Sequence, residues 1–167
     1  NAPKYNDTYY ALQHSLQRLE VASSHRITTG SGVRIAIIDS GVESEHPDLS
    51  EDIVIEDFTD QAQQPAGYHG TGLAGVIVAR PNNSLGIVGI APDARILSLR
   101  ACWGDTSAGT AAQCNSFTLA RARDRAIEAD ADVINLSLVG PRDPLLGRLL
   151  DKAHSEGIFL VAASRSG

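Results

Sequence analysis

Five runs of apolar, largely β-branched residues constrain this chain more than any other feature: "VRIAIID" (33–39), "IVIEDF" (53–58), "RILSLR" (95–100), "VINLSL" (133–138) and "IFLVAA" (158–163). They are near-continuous rather than alternating, the pattern of strands covered on both faces. Helical patterns separate most of them. Leu12, Leu16 and Leu19 mark one face of an N-terminal helix. His69 to Ala79 reads as a second, with Leu73 and Ile77 on one side. Ser116 caps a third, running to about Ala129. The fourth has Asp143 at its N-cap, Pro144 in its first turn, a buried face of Leu145, Leu146, Leu149 and Leu150, and Gly157 at its end. Strands alternating with helices predict a parallel sheet with right-handed crossovers. The expected fold is α/β: a three-layer parallel sheet with helices on both faces, truncated after about the fifth strand.

With 167 residues, of which 43% are hydrophobic and 20% charged, the chain can bury the core of one domain. No apolar run is long enough to span a bilayer. A net charge of -6 argues against nucleic acid, which needs a basic surface. Neither membrane nor nucleic acid is therefore an expected partner. The chain has no methionine. Asn1 is thus not a translation start, and a processed product, an excised piece or a fragment is expected.

Parallel sheets bind ligands at the carboxyl ends of their strands. Asp39 ends the first run, Asn135 and Ser137 end the fourth, and Ser164, Arg165 and Ser166 follow the fifth. His69 opens its helix on the same side. A neutral imidazole can act as a general base, and a carboxylate beside it fixes the tautomer. A buried aspartate also needs such a partner. Taken singly, each residue is an ordinary turn or cap; together they point to chemistry at that rim. Other parallel-sheet enzymes fit less well. A dinucleotide site needs a glycine-rich turn after the first strand, but Gly30 and Gly32 precede it. A phosphoacceptor needs an acidic cluster around Asp39, and none is nearby.

Cys102 and Cys114 flank a stretch of Gly, Ser, Thr and Ala. They are either two unpaired thiols or a disulfide closing a small loop. A disulfide would stabilise the fold by roughly 2–3 kcal/mol and imply an oxidising, secreted or extracytoplasmic setting. No second Cys or His pair has zinc-ligand spacing.

The surroundings of Asp39 and His69 resemble those of the subtilisin-like serine proteases, the subtilases. "VRIAIIDSGVESEHPDL" is similar to their aspartate motif and "HGTGLAGVIVA" to their histidine motif. "NNSLGIVGIAPDARILSLRA", "DVINLSLVGP" and "GIFLVAAS" follow in family order. The resemblance implies one partial catalytic domain over 1–167, with a helix and lead-in at 1–29 and the family core at 30–167. It implies a serine endopeptidase acting on polypeptides. Asp39 would orient the histidine, and His69 would be the general base. Ser137, Leu138 and Val139 would line the substrate cleft, whose strand pairs with an extended peptide. Asp48 and Asn83 match side-chain ligands of a structural calcium site, which makes calcium the implied cofactor. His46, in "HPDL", matches a structural position.

Several departures accompany the resemblance. The family nucleophile lies in a Gly-Thr-Ser-Met-Ala stretch that this sequence lacks, so the chain alone is expected to be inactive. Ser166 stands at the oxyanion position, where the family carries Asn, and Arg165 replaces the preceding Gly. Losing such a donor costs about 10²–10³ in turnover. Val139 replaces a Gly and narrows the approach to the P1 pocket. "VARPNNSLG" carries one residue more than the family's calcium loop. Gly72 stands where many relatives have a second histidine. The expected partners are a polypeptide substrate and either the missing C-terminal half of the protease or a second copy of the chain. The alternative is a non-catalytic pseudoprotease that binds peptides or a partner.

Overall fold

The computed structural model describes residues 5–60, 66–104, 112–140 and 143–163. Its strands are β1 (Arg34–Asp39), β2 (Ile53–Asp57), β3 (Arg95–Arg100), β4 (Cys102–Trp103), β5 (Gln113–Cys114), β6 (Val133–Leu136) and β7 (Phe159–Ala162). Its α-helices are α1 (His14–Arg18), α2 (Val21–Ser24), α3 (Tyr68–Val78), α4 (Ser116–Glu128) and α5 (Pro144–Ser155). One all-parallel sheet runs in the order β2-β3-β1-β6-β7. The short β4 and β5 pair antiparallel and are stapled by the Cys102–Cys114 disulfide.

Alternation along β1 assigns the layers. Ile35 and Ile37 pack with Ala74 and Val78 of α3 on one face. Ala36 and Ile38 pack with Ala122 and Ala126 of α4 and Ala153 of α5 on the other. Most of the helix contributions are alanines, facing Ile35, Ile37 and Ile38 of the sheet, so the layers approach closely. Truncating the fully buried Ile38 to Ala would cost about 2–5 kcal/mol. This is the expected α/β arrangement.

Capping explains where the two C-terminal helices begin. The cap of α4 is Asn115 rather than Ser116: in extended backbone, Asn115 Oδ1 accepts the Thr118 amide at 2.8 Å. Ser116 instead donates its hydroxyl to Asp143. Asp143 caps α5, accepting the amides of Leu145 at 2.8 Å and Leu146 at 3.2 Å. The starts of α4 and α5 are thereby tied together.

Three apolar patterns are used differently from expectation. The N-terminal leucines do not share one helix face. Gln13 leaves the helical region to clasp Val88, donating to its carbonyl at 2.9 Å and accepting its amide at 2.8 Å. Glu20 has φ +52° and breaks the chain again. Leu16 is buried, while Leu12 and Leu19 are exposed. On α5, Leu145 is exposed and Leu146, Leu149 and Leu150 are half-buried along a cleft. β7 also differs from a strand covered on both faces. Phe159 and Val161 are paired in register with Val133 and Asn135, and they stay 73% and 52% exposed.

Candidate active site

Asp39 is the last residue of β1 and is 1% exposed. Its Oδ1 accepts the Ser40 amide at 2.7 Å and the Ser40 hydroxyl at 3.0 Å. His69, in the first turn of α3, places Nδ1 at 2.9 Å from Oδ2 and 3.0 Å from Oδ1. A carboxylate only accepts, so Nδ1 carries the proton. Nε2 is then the acceptor nitrogen, and it has no hydrogen-bond partner among the described residues. The imidazole side chain is 58% exposed, against 2% for its aspartate partner. One nitrogen is held from inside the protein and the other faces outward.

Glycines make this contact possible. A Cβ on Gly67 would fall 2.0 Å from Ser40 Oγ, and one on Gly70 would fall 2.2 Å from the Gly41 carbonyl oxygen. Side chains at either position would push α3 away from the turn that carries Asp39. The Gly67 amide donates to the Ser40 carbonyl at 3.1 Å. Thr71 fastens the next turn: its hydroxyl donates to the Gly67 carbonyl and accepts the Glu43 amide.

A cleft of about 1130 Å³ runs past Asp39 and His69 to residues 137–140 and the facing sides of α4 and α5. Ser137 and Leu138 are half-buried and Val139 is exposed. Ser137 Oγ accepts from Asn135 Nδ2 at 3.0 Å. Residues 138–140 make no backbone hydrogen bond within the described residues. They follow β6 outside any regular strand and form an edge, unpaired among the described residues, at the mouth of the cleft. Ser166 lies outside the described residues.

Asp48 and Asn83 meet at a second place, under the loop after α3. Asp48 is buried; its Oδ1 accepts Asn83 Nδ2 at 2.8 Å and its Oδ2 accepts the Ile87 amide at 2.9 Å. A Cβ on Gly86 would sit 2.0 Å from that Oδ2, so the loop wraps the carboxylate. Asp7 reaches the same loop from the N-terminal segment. Its Oδ2 accepts the Asn82 amide at 2.9 Å, while its buried Oδ1 has no partner among the described residues. The Tyr9 amide donates to the Gly86 carbonyl at 2.8 Å, binding the two segments together. A buried, unpaired carboxylate oxygen is the kind of atom a hard cation satisfies. No group of three or more His, Cys, Asp and Glu among the described residues could hold a metal. Amide and carbonyl oxygens would have to complete such a site. No local pattern in "YNDTYY" betrays Asp7, because its partners lie some 75 positions away.

No helix of the described residues is long and apolar enough to cross a membrane. The sequence model of the subtilase family matches residues 30–164. Thermitase of Thermoactinomyces vulgaris is 37% identical over 164 residues, covering 95% of this chain and 57% of that protein. The thermophilic serine proteinase of Bacillus sp. (strain AK1) is 38% identical over 165 residues, covering 95% of this chain and 40% of the other. A solved protease structure from Pseudoalteromonas arctica PAMC 21717 superposes with a TM-score of 0.79 at 23% identity, over 96% of this chain and 58% of that one, a likeness of fold. The chain thus spans only part of the length of each of these proteins.

Proposed function

Since the chain belongs to the subtilase family, we propose that it forms the aspartate- and histidine-bearing part of a serine endopeptidase. The observation that carries this reading is the Asp39–His69 contact at 2.9 Å, made by a buried acceptor and an outward-facing ring. Asp39 holds the Nδ1–H tautomer and stabilises the imidazolium that forms during turnover. His69 Nε2 takes the proton of a serine hydroxyl and returns it to the leaving amine. That serine belongs to a part of the protease outside this sequence, and the chain alone is inactive. The free edge at residues 138–140 receives the polypeptide substrate as an added strand, with Ser137 and Leu138 behind it and Val139 at its rim. Ser166 stands at the oxyanion position.

Calcium is the proposed cofactor. Asp7, Asp48 and Asn83 would hold it, and when bound it would tie the N-terminal segment to the loop after α3. Supporting this is the buried Oδ1 of Asp7, which is unpaired among the described residues. The disulfide favours a secreted or extracytoplasmic location. The uncovered Phe159 and Val161 favour a covering partner, either the rest of the protease or a second copy of this chain.

A fluorophosphonate probe tests the assignment. It should label one serine of the full-length protein, outside Asn1 to Gly167, and leave the isolated chain unlabelled. Labelling of a serine within this chain would overturn the assignment of the nucleophile to another part.

A further inference from the structure

Arg123 is an arginine buried to 2% exposure on α4, and it borders the same cleft as His69. Leu119 of α4 and Leu146, Leu149 and Leu150 of α5 line the recess beside it. Its Nη1 donates to Asp124 Oδ1 at 2.6 Å, and that aspartate side chain is 55% exposed. Its Nε and Nη2 are buried and have no partner among the described residues.

A guanidinium withdrawn from water with two donors unmet is strongly unfavourable unless an anion joins it. The two unmet donors are not scattered. Nε–H and Nη2–H form one edge of the guanidinium, and they point the same way at the spacing of the two oxygens of a carboxylate. The apolar lining strengthens a charge-assisted bond made there. A neutral amide offers one acceptor and no charge, so it cannot replace the carboxylate.

We propose that Arg123 makes this recess a subsite for an acidic side chain of the peptide substrate, glutamate above all because of its reach. The inference rests on the endopeptidase reading. It favours the substrate as the source of the carboxylate because the recess opens onto the cleft that also holds His69 and the unpaired edge at residues 138–140. A peptide paired with that edge sends alternate side chains to each side, and one of them enters between α4 and α5.

The test uses the full-length protease and a peptide library in which Glu, Gln and Leu are exchanged at each position around the scissile bond. At one position kcat/KM for Glu should exceed that for Gln by about tenfold or more, the scale of a charge-assisted bond over a neutral one. The preference should persist at high salt, because the site is buried. Arg123→Lys should keep part of it, and Arg123→Met should abolish it and favour Leu. Cleavage with no position preferring Glu over Gln overturns the inference and leaves the endopeptidase reading intact. So does a preference that survives in Arg123→Met. Should Arg123→Met not fold, the wild-type comparison and Arg123→Lys decide. If no peptide in the library is cleaved, the endopeptidase reading falls and this inference falls with it.

Discussion

His69 Nδ1 lies 2.9 Å from one oxygen of Asp39 and 3.0 Å from the other, across a sequence separation of 30. The contact joins the end of a buried strand to the start of a helix. Everything that lets α3 approach the 40–41 turn therefore bears on it.

The glycines of α3 divide accordingly. Gly72 is exposed in the helix interior, and a Cβ there would meet nothing within 4 Å. Gly72→Ala should stabilise the protein by about 1 kcal/mol, raising the melting temperature by about 2–4 °C. Gly70→Ala places a Cβ 2.2 Å from the Gly41 carbonyl oxygen and should destabilise by about 1–3 kcal/mol. Thermal unfolding of both variants checks this; equal effects would show that α3 is not packed as described.

Cys102 and Cys114 hold β4 to β5 across a sequence separation of 12. Reduction should lower stability by about 2–3 kcal/mol, through the freedom returned to the unfolded loop. Thiol titration of unfolded, unreduced protein should find no free thiol. Two titratable thiols would contradict the disulfide.

Asp143 has its pKa lowered, first by the Ser116 hydroxyl and then by the Leu146 amide. A carboxyl depressed in the folded state stabilises fully above its unfolded value, near 3.9, and loses that contribution as pH falls through the folded value. The melting temperature of Asp143→Ala should thus lie below wild type by a constant margin at neutral pH. The margin should shrink below about pH 4. A margin independent of pH would mean that the cap acts without its charge.

Calcium should act through Asp7, Asp48 and Asn83. A chelator should lower the melting temperature, and calcium at about a thousand times its dissociation constant should restore roughly 4 kcal/mol. Asp7→Asn should remove most of that response by neutralising the carboxylate whose Oδ1 has no other partner among the described residues. Identical melting with chelator and with calcium would exclude the site.

The sheet, three of the four expected helices and the Asp39–His69 pair were legible because each rests on a local signal: an apolar run, a cap, or a strand-end acid. What was not legible depends on distant partners. The N-terminal segment is broken by Gln13 reaching Val88, 75 positions away. Asp7 gains its meaning only from the loop at Asn82. Arg123 reads as one more cation on an amphipathic helix until its burial is seen. The leucines of α5 have the spacing of a buried face, and the structure uses that face as a cleft wall.

The most direct measurement is kcat/KM for peptide hydrolysis by the full-length protease and its His69→Ala and Asp39→Asn variants, each with folding confirmed by its melting temperature. Turnover should fall by about 10⁶ for His69→Ala and by about 10⁴ for Asp39→Asn, which leaves the geometry intact but permits the wrong tautomer. Retention of activity within tenfold by either variant would contradict a catalytic pairing of Asp39 and His69.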